Sequence, residues 1–157
     1  MTDIKEEREE RREEREHQVF FGLGSNLGDK EQQLLTAIRL IGERVGPVLR
    51  QSSFLETEPW GFESEHRFLN AVILCETSKT PREVLRLTQQ IERDMGRKKK
   101  VNRKSVNRKY KDRPIDIDIL LYDNLTVNEP DLKIPHPLMH ERDFVMKPLQ
   151  EIKKVES

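Results

Sequence analysis

The sequence predicts an α/β (α+β) protein whose elements run β-α-β-β-α-β, and three observations predict it. Four stretches are apolar in alternation or in short unbroken runs, two longer ones repeat apolar residues at three- and four-residue spacing, and glycine or proline punctuates the junctions. At 157 residues the chain has room for one domain with a real core.

Taken in order, residues 18–24 (QVFFGLG) form a short strand stopped by glycines. Leu34, Leu35, Ile38, Ile41 and Val45 then recur at helical spacing, with Asn26 or Asp29 as the cap and Gly46-Pro47 as the stop. VLRQSSFLET (48–57) and FLNAVILCET (68–77) are strands joined by EPWGFESEHR. Thr80 caps a second helix with Pro81 at its first position; Val84, Leu85, Thr88, Ile91 and Met95 give the inner stripe and Gly96 ends it. Residues 97–113 are a basic loop, and 114–122 (PIDIDILLY) alternate as a final strand. Prolines in 132–152 are too frequent for a long helix, which predicts a loop and a short helical turn near 141–146. The whole is the split β-α-β pattern, a ferredoxin-like, mainly antiparallel sheet with its helices packed on one face. That architecture hosts many chemistries, so function has to come from sites.

Hydrophobic residues make up 34% and charged residues 37%, but the charge is concentrated in two runs. Residues 3–16 carry eight acids and five bases, and 97–113 carry ten bases and one acid. With 29 of each sign in total, the remainder is mildly acidic, and the asymmetry points to an anionic partner near one loop. Residues 1–17 have helix formers without an apolar stripe and read as a helical or disordered extension to a domain spanning 18–157. The single cysteine, Cys75, lies in an apolar run and behaves as a small buried hydrophobe. With no disulfide partner, no apolar span of eighteen residues and a charged N-terminus, the expectation is a cytoplasmic protein that uses no membrane.

Asp116 and Asp118 stand two apart on one strand face, their Cα atoms roughly 6.5–7 Å from each other. Like charges that close call for a cation, and a magnesium ion shared with nucleotide phosphates fits two carboxylates; the plain alternative is a solvated edge strand. The basic neighbours favour the first. Arg97 and Arg113 flank a loop long enough to act as a lid over phosphates, lengthened by a tandem echo, VNRKS then VNRKY. FGLGSNLGD (21–29) is glycine-rich at a strand-to-helix junction yet matches neither the dinucleotide fingerprint nor the P-loop spacing, so its glycines serve close approach to the backbone. Trp60, Phe62 and Phe68 beside Thr57 and Asn70 suit a flat heteroaromatic ligand, although an aromatic taken singly is more often a core residue. Gln89 and Glu92 share a helix face, which by default is solvated, and His136 and Arg142 are suited to phosphate by type, although a histidine between prolines is more often structural than catalytic.

GLGSNLGD, SSFLETEPWG, FLNAV, QQIERDMGR, DRPIDIDILLY, IPHP and ERDFVMKPL, in that order from about residue 18 to 152, resemble the 6-hydroxymethyl-7,8-dihydropterin pyrophosphokinase family of folate biosynthesis. The resemblance implies transfer of a pyrophosphoryl group from MgATP to the pterin's hydroxymethyl oxygen with release of AMP. It implies two Mg2+ on Asp116 and Asp118, and Arg97 and Arg113 as phosphate clamps. Leu85, Gln89, Glu92, Ile119, His136 and Arg142 would line the ATP site. Gly24, Thr57, Trp60, Phe68, Asn70 and Phe144 would form the pterin pocket, with Phe68 and Phe144 sandwiching the ring. Partners would be these small molecules, without nucleic acid, and the chain a monomer. The lengthened basic loop and the charged N-terminal run depart from the family pattern. The rival is a nucleic-acid-binding ferredoxin-like module using the basic loop; it lacks an aromatic RNP-type motif, and paired aspartates repel phosphates unless metal intervenes.

Overall fold

The computed structural model describes residues 17–57, 67–96 and 114–154. The N-terminal run 1–16, Trp60, and the basic loop with Arg97 and Arg113 lie outside the described residues.

The elements are β1 (His17–Ser25), α1 (Lys30–Arg44), β2 (Val48–Gln51), β3 (Leu55–Thr57), β4 (Phe68–Thr77), α2 (Pro81–Gly96), β5 (Asp116–Tyr122), a hairpin of β6 (Val127–Glu129) and β7 (Leu132–Ile134), a 3-10 turn (Met139–Glu141) and α3 (Asp143–Lys154). The main sheet is antiparallel, with β1 between β4 and β5, and with β2 and β3 both pairing β4. The expected 48–57 strand is therefore one edge in two pieces. Ser52 bridges the break: its N–H donates to the Val72 carbonyl at 2.9 Å, and its Oγ accepts from Val72 N–H at 2.9 Å.

Alternation decides which side chains go to which face. Val19, Phe21 and Leu23 of β1, Ala71, Ile73 and Cys75 of β4, and Ile117 and Ile119 of β5 join Leu34, Ala37 and Ile41 of α1 and Val84 and Ile91 of α2 in one core. Both predicted helices thus share a face, as expected. Phe20, Val72, Leu74 and Leu120 point the other way and pack with Met139, Val145, Leu149 and Ile152. The short turn predicted near 141–146 is instead a helix of twelve residues covering part of the second face. Its proline, Pro148, is buried inside the helix beside Val145 and Leu149, so apolar burial outweighs the amide bond that a proline forgoes. The β6–β7 hairpin also goes beyond the predicted pattern; Arg82 on α2 holds it through Glu129 and through Asp131, the latter at 2.7 Å.

Local signals fix the helix ends. Asp29, not Asn26, caps α1 by accepting from Gln32 N–H at 3.2 Å. Thr80 and Glu83 cap α2 reciprocally: Thr80 Oγ1 accepts from Glu83 N–H, and Glu83 Oε1 accepts from Thr80 N–H at 2.8 Å. Gly46 lies so close to β4 that a Cβ there would stand 1.9 Å from the Glu76 carbonyl oxygen.

Candidate active site

The two faces of the sheet differ in cover, and the difference makes the site. On the α3 side, a row runs across the strands from Asp116 through Gly24 and Asn70 to Leu55, with Asp118 opposite Gly22 in the next row. Two glycines in the middle strand leave a floor without side chains, with the carboxylates on one side and Asn70 and Phe68 on the other. A Cβ on Gly24 would stand 3.1 Å from Asn70 Oδ1 and 3.6 Å from Phe68 Cδ1. Asn70, 5% exposed, donates through Nδ2 to the Leu55 carbonyl at 3.2 Å and to Thr57 Oγ1 at 3.0 Å. That fixes the amide with its carbonyl towards the glycine floor and links Thr57 to it.

His136 closes the carboxylate side. Its backbone N–H donates to the Leu120 carbonyl at 3.0 Å, holding it to the outer edge of β5. Its Nδ1 accepts from Leu138 N–H at 3.2 Å, so the ring proton of the neutral form lies on Nε2, which stands 4.0 Å from Asp118 Oδ2. Burial, and then the nearby Arg142 guanidinium, hold the imidazole below the usual histidine range against the opposing pull of Asp116. Arg142 in turn lies over the Phe144 ring, 5.6 Å from its centre. Asp116, Asp118, His136, Arg142 and Phe144 are thereby gathered at one end of the second face.

The remaining nucleotide candidates lie on the other side of β5. Gln89 and Glu92 line an open groove of about 480 Å³ together with Arg93, Pro114 and Ile115. Ile119, and Leu85 packed against the same cluster, belong to the helix-side core. A ligand reaching both groups has to cross the outer edge of β5, where Glu92 Oε2 accepts from Ile117 N–H at 2.7 Å. Sequence reasoning missed Arg93, although it stands four residues from Gln89 and shares its helix face. It also missed Lys30, whose Nζ donates to Glu56 Oε2 at 3.3 Å and to the Arg67 carbonyl at 2.9 Å, tying together both ends of the 58–66 connection. Only the tertiary fold brings those groups together.

Among the described residues no cluster of three or more histidine, cysteine or acidic side chains forms a protein-only metal cage. Two carboxylates alone suit a hard cation that keeps waters and shares phosphate oxygens, which is how magnesium is commonly bound beside nucleotides. No described helix is long and apolar enough to cross a membrane.

An antiparallel βαββαβ sheet with two aspartates on its outer strand, and an open groove on the other side of that strand, fits the class of phosphoryl-transfer enzymes. Comparison with known proteins narrows this. Residues 20–154 match the model of 7,8-dihydro-6-hydroxymethylpterin-pyrophosphokinase. A 2-amino-4-hydroxy-6-hydroxymethyldihydropteridine pyrophosphokinase of Porphyromonas gingivalis is 49% identical over 135 residues, covering 85% of this chain and 89% of that protein. One of the same name from Bacillus subtilis is 40% identical, covering 85% and 77%. A folate synthesis bifunctional protein of Arabidopsis thaliana is 38% identical, with 87% of this chain matching 24% of that protein. In shape, the chain resembles a crystal structure of HPPK-DHPS in complex with substrates, with a TM-score of 0.67, 16% identity and 87% of this chain covered; it spans 40% of that longer chain. The chain belongs to the 7,8-dihydro-6-hydroxymethylpterin-pyrophosphokinase family, whose pyrophosphoryl-transfer activity serves folate biosynthesis. Nothing in these comparisons supports the nucleic-acid-binding alternative.

Proposed function

We propose that the chain transfers the pyrophosphoryl group of ATP to the hydroxymethyl oxygen of 6-hydroxymethyl-7,8-dihydropterin, with Asp116 and Asp118 holding two magnesium ions against the triphosphate. The observation that carries this reading is the paired carboxylates at one side of a glycine floor, with the Asn70 amide at the other. In this reading the hydroxymethyl oxygen attacks the β-phosphorus, the bridge to the α-phosphorus breaks, and AMP leaves.

Bound at that pair, magnesium supplies charge neutralisation on the phosphates and eases loss of the attacking hydroxyl's proton. The chain's own groups do the positioning. Gln89, Glu92, Leu85 and Ile119 receive the nucleotide along α2 and β5. A neutral His136 offers its Nε2–H to a phosphate oxygen, supported by the tautomer that Leu138 N–H imposes. Arg142, with Arg97 and Arg113 of the loop, clamps phosphates through paired N–H donors. The pterin lies over Gly24 between Phe68 and Phe144, with its edge read by Asn70 and Thr57, and Trp60 is a further pterin contact that the family motif implies. Its substrates are small molecules, and we take the chain to act in the cytoplasm as a monomer without nucleic acid.

The test is AMP release from MgATP and the hydroxymethyl-dihydropterin. Purified protein should release AMP, and Asp116→Asn or Asp118→Asn should lower kcat by about 10²–10³-fold or more with an unchanged far-UV spectrum. Absence of AMP from the parent protein, or full activity in both variants, would overturn the reading.

A further inference from the structure

We propose that Glu92 is a positioning residue for Asp116 and Asp118, acting through the peptide between them. The inference rests on the reading that this pair holds the divalent cation.

β5 is the outermost strand. Its inner edge is paired to β1 at Asp116↔Gly24, Ile117↔Leu23 and Asp118↔Gly22, so an outward N–H on this stretch meets no strand among the described residues. Ile117 N–H is such a group, and it donates to the Glu92 carboxylate at 2.7 Å, a short charge-assisted bond in partly buried surroundings. A second hold on the outer edge is at the Leu120 carbonyl, which accepts from His136 N–H. The first hold lies between the two aspartates and the second lies beyond Asp118. Side chains at 116 and 118 leave the strand on the same face from either side of residue 117, so a rocking of that residue swings both carboxylates together. Cation binding by two ligands tolerates little such motion, and groups that orient ligands commonly govern affinity without touching the metal.

Glu92 also lines the groove beside Gln89 and Arg93, where a nucleotide contact is the simpler assignment. The two roles differ in what they ask of the side chain. Supporting Ile117 requires an acceptor oxygen, which glutamine retains; a charge-dependent contact requires the carboxylate.

The experiment uses full-length Glu92→Gln and Glu92→Leu proteins, with two readouts besides turnover. Exchange of the Ile117 amide proton is followed by NMR, and Mn2+ affinity is measured by electron paramagnetic resonance with inorganic tripolyphosphate, which carries the phosphates but no ribose or base for Glu92 to touch. The expectation is parent-like exchange and Mn2+ affinity within about threefold in Glu92→Gln. In Glu92→Leu, faster Ile117 exchange should accompany Mn2+ binding weakened by about 10–100-fold. Parent-like binding in both variants would overturn the proposal. Equal loss in both would overturn it too, by showing that charge is what matters. Asp116→Asn is measured alongside. If it binds Mn2+ like the parent, the metal reading itself falls; if it loses Mn2+ while Glu92→Leu does not, only the role given to Glu92 falls.

Discussion

A single imidazole shows how placement becomes a measurable property. Burial and then Arg142 depress the His136 pKa, so folding favours its neutral form. The unfolded chain, with an ordinary value near 6.5, binds the proton more readily. Stability from this group is therefore fully present above that pH and is lost as pH falls through it toward the lower folded value. Urea midpoints measured from pH 7.5 to 5 should fall less steeply in His136→Gln than in the parent; parallel curves would contradict the assignment. Gly24 offers a second test at this scale. An added methyl would crowd the Asn70 carbonyl at 3.1 Å, so Gly24→Ala should raise the KM for the pterin about tenfold and leave the KM for ATP near its parent value. Steady-state kinetics with each substrate varied separately will show whether the two constants part. The sequence made Gly24 and Asn70 legible through their motifs, but the bond from Asn70 to Thr57 depends on the β3–β4 register, which no local pattern encodes.

Elements depend on contacts that are invisible in their own residues. The end of α1 was legible from Gly46-Pro47, while the reason for the glycine is β4, whose Glu76 carbonyl occupies the space of a side chain. Gly46→Ala should destabilise the fold by about 3 kcal/mol, as an overpacked core does, and a urea midpoint equal to the parent's would count against that packing. The final helix was the least legible element. Its proline, Pro148, signals a break, and local propensity is overridden because Val145, Leu149 and Ile152 cover Phe20, Val72, Leu74 and Leu120 on a face that the two-helix pattern leaves bare. The split of the 48–57 strand was likewise hidden, since Ser52 takes its partners from Val72, twenty residues on.

Over the whole molecule, the order of strands and the shared face of α1 and α2 follow from periodicity, whereas the site's two halves, one on each side of β5, appear only when the sheet is assembled. Cys75 reports on that assembly. It sits in the helix-side core at 0% exposure, and burial pushes its thiol up to about 12. At pH 8 the folded protein should resist iodoacetamide, and denaturant should release one reactive thiol per chain; rapid labelling of folded protein would mean that this core opens easily. The fastening of β5 has one more consequence. An outermost strand ordinarily offers its free amides and carbonyls as a template on which a neighbouring molecule can lay a strand of its own. Here the Glu92 carboxylate and the backbone of His136 already occupy Ile117 and Leu120 on that rim, so the grip that steadies the aspartates also guards crowded molecules against intermolecular stacking there.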